Sequence, residues 1–177
     1  MPKFRGIKKL WYLDTLTTAP TQATLSTLIQ SATEIRNVHQ DAWGYSQDDP
    51  SVTDYINELT GKPYYRDAED QGNRVINFTM GEYDYATKAA LQGGSTITEG
   101  SAVVGWKSPD APTLISKALI ALTRTGTYSG FTNANIVAKG DQQQKAIGLG
   151  VTALAVENPN SAANAPISDE YWFDAPA

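Results

Sequence analysis

The chain is 177 residues long, with 41% hydrophobic and 19% charged residues and a formal net charge of −5. A chain of this length buries about two thirds of its unfolded surface around one core, so a single domain over residues 1–177 is expected. No apolar run approaches the roughly 18 residues of a membrane-spanning helix, and the excess of carboxylates argues against tight nucleic-acid binding, which depends on Lys and Arg replacing counterions.

The first part of the chain predicts one strand and one weak helix. Basic residues cluster only at the start, as Lys3, Arg5, Lys8 and Lys9. No apolar core with a cleavage site follows them, so export by the general secretory route is not expected. Residues 8–14 form an apolar and aromatic run typical of a strand. Residues 21–30 show leucine and isoleucine at helical spacing, weakened by threonines.

The next segment predicts a hairpin. Residues 35–45 and 52–59 have the composition of two strands, and the connection 47–51 contains two aspartates and a proline, which favour a turn. A Gly-Lys-Pro break ends the second strand, and residues 67–72 read as an acidic loop. We therefore expect the first two strands to pair with each other across 47–51.

The clearest strand and the clearest helix are adjacent. Ile76, Phe78 and Met80 alternate with polar residues over 74–80, as in a strand with one face in the core. Residues 82–92 change to helical spacing, with acidic residues in the first turn and two glycines after the last.

The remaining strands set the fold class. Four later segments are rich in β-branched and aromatic residues and predict strands over 102–107, 113–123, 128–139 and 145–157. Strands at this spacing with one firm helix favour a mainly β fold, namely an antiparallel β-sandwich or barrel with one flanking α-helix. Residues 1–31 and the tail 158–177 are expected to be extended or flexible arms.

Two glycines share one face of the last predicted strand. Gly148 and Gly150 alternate with Ile147, Leu149 and Val151. Glycine weakens a strand, so a pair on one face indicates either a curved core strand that another backbone approaches closely, or a contact with a second subunit.

No group of residues predicts catalysis or metal binding. The chain has no cysteine, which removes thiolate nucleophiles and sulfur-ligated zinc and fits a reducing compartment. His39 is the only histidine and has no nucleophile motif near it, so a structural role is expected. Asp67, Glu69 and Asp70 lack the spacing of a calcium-binding loop.

The spacing of the carboxylates and of the glycines argues against two further kinds of site. Asp48 and Asp49 are adjacent in sequence and cannot flank one glycosidic bond from opposite sides. The glycines match neither a dinucleotide-binding nor a phosphate-binding loop. We therefore expect no catalytic, cofactor-binding or metal-binding residues, no cofactor, and a protein that is not an enzyme.

Four segments carry a resemblance to a known family. They are residues 47–54, 76–80, 83–94 and 145–151, which together span most of residues 32–157. Their order resembles the tail tube proteins (major tail proteins) of long-tailed bacteriophages, which are related in fold to the tube protein of the type VI secretion apparatus.

The resemblance implies a virion structural protein. In that family a β-barrel or sandwich with a helix on its flank closes with five other copies into a ring, and rings stack into a tail tube. The implied partners are the chain itself and other tail proteins, and the implied location is the virion tail after synthesis in the bacterial host cytoplasm, with no membrane.

In such a tube, DNA passes without specific binding, and an acidic lining prevents adhesion because carboxylates repel phosphates. Ring closure would pair strand edges that a monomer leaves open. Residues 41–50 are the expected inter-ring loop.

Two other functions fit the composition. The tryptophans and the nine tyrosines suit a carbohydrate-binding β-sandwich module, although packing is their more common use. The tryptophans are Trp11, Trp43, Trp106 and Trp172. A small hydrolase that uses Asp and Glu as acid and base is permitted only because carboxylates are common.

Overall fold

The protein is built mainly of antiparallel strands, as expected from the sequence. The computed structural model describes residues 6–143 and 145–175, so Lys3 and Arg5 lie outside the described residues. The strands are β1 (Ile7–Leu13), β2 (Thr33–Ile35), β3 (Gly44–Gln47), β4 (Val52–Asn57), β5 (Lys62–Ala68), β6 (Arg74–Met80), β7 (Ser95–Glu99), β8 (Ala102–Lys107), β9 (Ile115–Thr123), β10 (Thr127–Gln143), β11 (Ala146–Ala155) and β12 (Glu170–Asp174). The helices are α1 (Leu25–Ser31) and α2 (Tyr85–Gln92).

One eight-stranded sheet forms the body of the molecule. Its order is β2-β1-β9-β10-β11-β6-β3, and β12 also pairs with β10. The long strand β10 pairs with β12 along its first residues and with β11 along its second half. No closed barrel is found in the part of the chain that the structure describes, because β2 and β3 remain at the two ends of the sheet. The hairpins β4–β5 and β7–β8 form separate two-stranded sheets.

The core follows from the alternation of apolar and polar residues along the strands. Ile76, Phe78 and Met80 of β6 are each 1% exposed, which confirms the predicted face. They pack with Leu119 of β9 and Leu149 of β11, which have no exposed surface. Burying each such side chain stabilises the fold by about 1.5–3 kcal/mol.

Helix α2 covers one side of this core through Leu91, which is fully buried. The helix begins later than the spacing indicates, because Asp84 is its N-cap and accepts a hydrogen bond from Thr87 N at 2.6 Å. It ends at Gly93, whose φ of 83° is readily adopted only by glycine. The other helix, α1, is short, and Leu25 is its one buried residue.

A set of buried polar groups holds the middle of β10, where its pairing with β9 is irregular. Thr132 N donates to Asp169 O at 2.9 Å, and Asn133 Nδ2 donates to Glu157 O at 2.9 Å. Asn158, only 1% exposed, donates to Leu16 O at 2.9 Å. These bonds satisfy polar groups at the irregularity and join the segments around Leu16, Glu157 and Asp169 to the sheet.

The predicted hairpin across residues 47–51 is wrong. Residues 36–43 contain no strand, β3 pairs with β6, and β4 pairs with β5. The chain turns at the end of β4 instead, where Gly61 N donates to Asn57 O at 2.8 Å. Three strands were also missed: β2, before the predicted strand 35–45; β7, after the glycines that end α2; and β12, which lies in the tail and joins the main sheet. Strand β5 begins within the predicted Gly-Lys-Pro break and extends into the predicted acidic loop.

Candidate functional site

The strand pairs β3–β6 and β4–β5 belong to one antiparallel ribbon. Beyond the main sheet, Asp48 N donates to Asn73 O at 2.9 Å, and Glu69 N donates to Ser51 O at 3.0 Å. These bonds continue the ladder from one pair to the other. Residues 48–70 therefore extend from the sheet as a projection, roughly 30 Å long at about 3.3 Å per residue. We call these residues the hairpin arm.

The hairpin arm is exposed on both faces. Apart from the partly buried Thr53 and Asn57, every residue in it is exposed. Six of them are large apolar or aromatic side chains with exposed fractions between 43% and 95%: Val52, Tyr55, Ile56, Leu59, Tyr64 and Tyr65. An isolated two-stranded hairpin is only marginally stable in water. An arm with this much apolar surface is therefore typical of a segment that packs against a partner.

Side chains within the hairpin arm stabilise its register. Arg66 Nη2 donates to Asp54 Oδ2 at 2.9 Å, and this hydrogen bond holds the pKa of Asp54 below its usual value. The rings of Tyr55 and Tyr65 lie 5.6 Å apart on the opposite face. These contacts are internal to the arm and bury neither face.

The hairpin arm carries the whole net charge of the chain. It contains seven carboxylates and two cations, a net charge of −5, which equals the net charge of all 177 residues. The carboxylates are Asp48, Asp49, Asp54, Glu58, Asp67, Glu69 and Asp70. The body is therefore electrically neutral as a whole and the projection is acidic.

A groove of about 590 Å³ lies between the β1–β2 end of the main sheet and residues 36–43, which lead into β3. Its walls are β1, the end of β2 and residues 36–43. The pairing of β1 with β2 runs only from Leu10 to Tyr12. Within the described residues the start of β1 therefore keeps an open backbone edge along the groove.

Cations dominate the charged lining of this groove. The lining includes Lys8, Lys9, Arg36 and Arg124, against one carboxylate, Asp41, among the described residues. Lys9 also forms an exposed ion pair of 3.2 Å with the neighbouring Glu34. Ile7, Val38 and Trp43 supply apolar surface between these charges. We call this site the basic groove.

The second hairpin, β7–β8, is more closely tied to the body. Trp106 Nε1 donates to Gly93 O at 2.9 Å, and Lys88 Nζ lies 4.0 Å from the centre of the Trp106 ring. Ile97, Val103 and other apolar residues of this hairpin nevertheless remain about half exposed. It is a second, smaller apolar projection.

His39 lies in the wall of the basic groove and not beside a nucleophile motif. Its backbone N donates to Thr79 O at 2.8 Å. Its ring atom Nε2 is buried without a hydrogen-bond partner in the part of the chain that the structure describes. A Cβ on Gly81 would lie 2.8 Å from this atom, so a larger residue at position 81 would require the His39 ring to shift.

The carboxylates that the sequence suggested as ligands do not form a cluster in the structure. Asp67, Glu69 and Asp70 lie along the hairpin arm, where Glu69 Oε1 accepts a hydrogen bond from Thr53 Oγ1 at 2.8 Å. Across residues 6–143 and 145–175, no group of three or more His, Asp or Glu side chains is placed to hold a metal ion.

The tryptophans pack against different partners. Trp11 is 5% exposed and stacks on Tyr128. Trp172 is 41% exposed and contacts the ring of Tyr45 edge-on. The exposed aromatic groups of the hairpin arm are tyrosines, which the sequence pattern did not single out.

The face that holds Gly148 and Gly150 is approached by the chain's own neighbouring strands. A Cβ on Gly148 would lie 2.8 Å from Met80 O, and one on Gly150 would lie 3.1 Å from Asp141 Cβ. The close backbone approach expected from the glycine pair is therefore present within one subunit.

No protein-family model matches the chain, and no curated protein matches it at a significant level. Neither helix in the described residues has the length and apolar character needed to cross a membrane.

Proposed function

We propose that the protein is a structural subunit that assembles into stacked rings, as the tail tube proteins of long-tailed bacteriophages do. The observation that carries this proposal is the hairpin arm, an acidic projection with apolar side chains on both faces and no packing partner of comparable size among the described residues. A segment of this kind gains stability when another molecule covers its apolar surface.

The open ends of the main sheet support the same proposal. Strands β2 and β3 each have one paired neighbour in the described sheet. An open edge offers unpaired N–H and C=O groups to another chain, and in a closed ring each such edge can pair with that of a neighbouring subunit. Six copies, the number in the family that the sequence resembles, would give a ring with a central channel.

The proposed tube is a conduit for DNA, as in the family that the sequence resembles. Carboxylates that face such a channel would repel phosphates, whereas the net negative charge of the arm belongs to the contact between rings. In this proposal the partners are further copies and other tail proteins, the location is the virion tail, no substrate is converted, and DNA is not bound specifically. The projecting hairpin arm replaces residues 41–50 as the proposed contact between rings.

The direct test is the assembly state of the purified protein. Sedimentation velocity over a range of about 1–100 μM and negative-stain electron microscopy should show rings or tubes at the upper concentrations. A matched variant that lacks the arm, with residues 52–68 replaced by a short Gly-Ser linker, should remain monomeric. A wild-type protein that stays monomeric throughout this range would contradict the proposal.

A second candidate function rests on the exposed tyrosines of the hairpin arm. Tyr55, Tyr64 and Tyr65 are 43%, 70% and 55% exposed, and aromatic rings on a surface can stack on sugars. A carbohydrate-binding module would therefore use the arm as its platform. A glycan array with the wild type and Tyr64→Ala separates the candidates, because only a binding module gives a signal that the substitution removes.

A further inference from the structure

We propose that the basic groove is the receptor for the hairpin arm of a second copy of this chain. This inference rests on the proposed function because it assumes that copies of the chain associate. It adds the identity of the contact: the arm of one copy occupies the groove of the next.

Charge complementarity selects this occupant. The hairpin arm has a net charge of −5 and the rest of the chain is neutral, so the arm is the most acidic element available to a neighbouring copy. Five of its seven carboxylates lie at the base, in residues 48–49 and 67–70, and Glu58 lies at the tip beside Leu59.

The basic groove presents Lys8, Arg36 and Arg124 as exposed cations. Lys9 is already paired with Glu34, Arg36 also interacts electrostatically with Asp84, and Asp41 is the carboxylate in the groove lining. Opposite potentials accelerate encounter and fix the orientation of docking.

The apolar surfaces match as well. Ile7, Val38 and Trp43 are partly buried residues in the floor and walls of the groove. The tip of the arm carries Leu59, which is 95% exposed, and the hairpin behind it carries Tyr64. Interfaces commonly bury such an aromatic or aliphatic anchor at the centre, with charged groups around it.

The groove can take side chains at the tip of the hairpin. Its volume of about 590 Å³ has room for a few side chains and not for the whole arm. Among the described residues the start of β1 has no strand partner on its β2 side, and Ile7 O accepts a hydrogen bond from Arg124 Nε at 3.4 Å. An extended segment can add to such an edge through main-chain hydrogen bonds, which supplement the side-chain contacts.

The absence of cysteine from the chain permits a clean cross-linking test. One variant carries Leu59→Cys at the arm tip and a second carries Gln40→Cys at the groove. After mixing under mild oxidation, mass spectrometry should find at least tenfold more of the mixed disulfide than in a control pair, in which Ser101→Cys replaces Gln40→Cys. Ser101 is exposed in the β7–β8 turn. A mixed yield equal to that of the control pair would overturn the proposal.

A charge exchange gives an independent readout. The arm-tip variant Glu58→Lys/Thr60→Lys and the groove variant Lys8→Glu/Arg36→Glu should each lose self-association by at least tenfold in sedimentation. Mixed in equal amounts they should co-assemble, because each variant's arm then faces a groove of opposite charge. The controls are the two variants measured separately at the same total concentration, and each should remain dissociated. Failure of the mixture to exceed both of these controls would count against the arm–groove contact.

The two proposals fail separately. Rings or tubes without the mixed disulfide and without charge rescue would leave the assembly proposal standing and remove this one. A mixed disulfide without rings or tubes would support the arm–groove contact and contradict the proposed ring assembly. Duplex DNA is the competing occupant of a basic groove: DNA binding that Lys8→Glu/Arg36→Glu abolishes, with no mixed disulfide, would assign the groove to nucleic acid and overturn the proposal.

Discussion

Thr79 Oγ1 donates a hydrogen bond to Asp141 Oδ2 at 3.2 Å across the strand that lies between them. Thr79 is on β6 and Asp141 is on β10, and both pair with β11. Their side chains meet because β11 has glycine at both positions beneath the bond, Gly150 opposite Thr79 and Gly148 opposite Asp141. The glycine pair therefore makes room for a polar link between three strands.

Substitution of Gly148, the more buried of the two glycines, should weaken the fold. In Gly148→Ala the new Cβ would lie 2.8 Å from Met80 O and from Thr79 Cγ2, so the strands must move apart. We expect a loss of about 1–3 kcal/mol in the free energy of unfolding, measured by urea denaturation. The matched control is Gly140→Ala on β10, where no atom lies within 4 Å of the added Cβ, and its stability should change little. Equal midpoints for the two variants would contradict this account.

Local patterns predicted the parts of the fold that depend on local sequence. The alternation of Ile76, Phe78 and Met80 with polar residues predicted β6 and its buried face, because successive side chains of a strand point to opposite faces. The arrangement of β4 was not predictable in this way. A Pro-containing segment at 47–51 suggests a turn, whereas the chain runs straight through it, since pairing with residues 68–73 decides its direction.

The candidate site was harder to predict than the fold. The negative charge is visible in the composition, but its concentration in one projection depends on which strands pair. The basic groove joins Lys8 to Arg36 and to Arg124, which are distant in sequence. No local period links such residues, so only the topology of the sheet brings them together.

Arg74 should be important for attaching the last strand. Its Nη1 lies 2.7 Å from Asp169 Oδ2 and its Nε lies 3.2 Å from Glu170 Oε2, with the Arg74 side chain only 14% exposed. Arg74→Met would leave two neighbouring carboxylates without their cation, and we expect a loss of about 2 kcal/mol in urea denaturation. Lys9→Met, which breaks an exposed pair, should change stability by less than about 1 kcal/mol. A comparable loss in the two variants would refute the assignment.

Alkaline pH should weaken the same region through Tyr45. Burial, with the hydrogen bond from Tyr45 OH to Glu170 Oε2, raises the pKa of Tyr45 from 10.0 to about 12. A raised pKa means that the stabilisation is complete below pH 10 and is lost as the pH rises through about 12. The full difference corresponds to about 2.7 kcal/mol, but Tyr45 is 39% exposed, and solvent screening reduces it to about 1 kcal/mol.

This loss can be measured by comparing the unfolding free energy of the wild type with that of Tyr45→Phe between pH 9 and 12. The variant lacks the titrating hydroxyl, so the difference between the two proteins should shrink as the pH rises. A constant difference across this range would show that Tyr45 does not titrate as described.

Asp84 should stabilise helix α2 in a pH-dependent way. Its carboxylate accepts the hydrogen bond from Thr87 N, which holds the pKa of Asp84 below its usual value of 3.8. A lowered pKa gives stabilisation that is present above about pH 4 and lost as the pH falls through the folded-state value. Asp84→Ala should cost about 1 kcal/mol at neutral pH. Asp84→Asn keeps an acceptor, so most of the stability should remain and the acid dependence should disappear in circular dichroism titrations.

The exposed apolar residues of the hairpin arm should affect assembly without affecting the fold. Leu59 and Tyr64 are 95% and 70% exposed, so Leu59→Ser/Tyr64→Ser removes little buried surface from the monomer. Its urea midpoint should match that of the wild type, whereas self-association in sedimentation velocity should fall by at least tenfold, because the apolar anchors of the contact are gone. The control is Val137→Ser/Ile147→Ser, which alters residues that are 62% and 76% exposed on β10 and β11. If this control lost association to the same extent as the arm variant, general surface hydrophobicity would drive assembly, and the arm would have no special part in it.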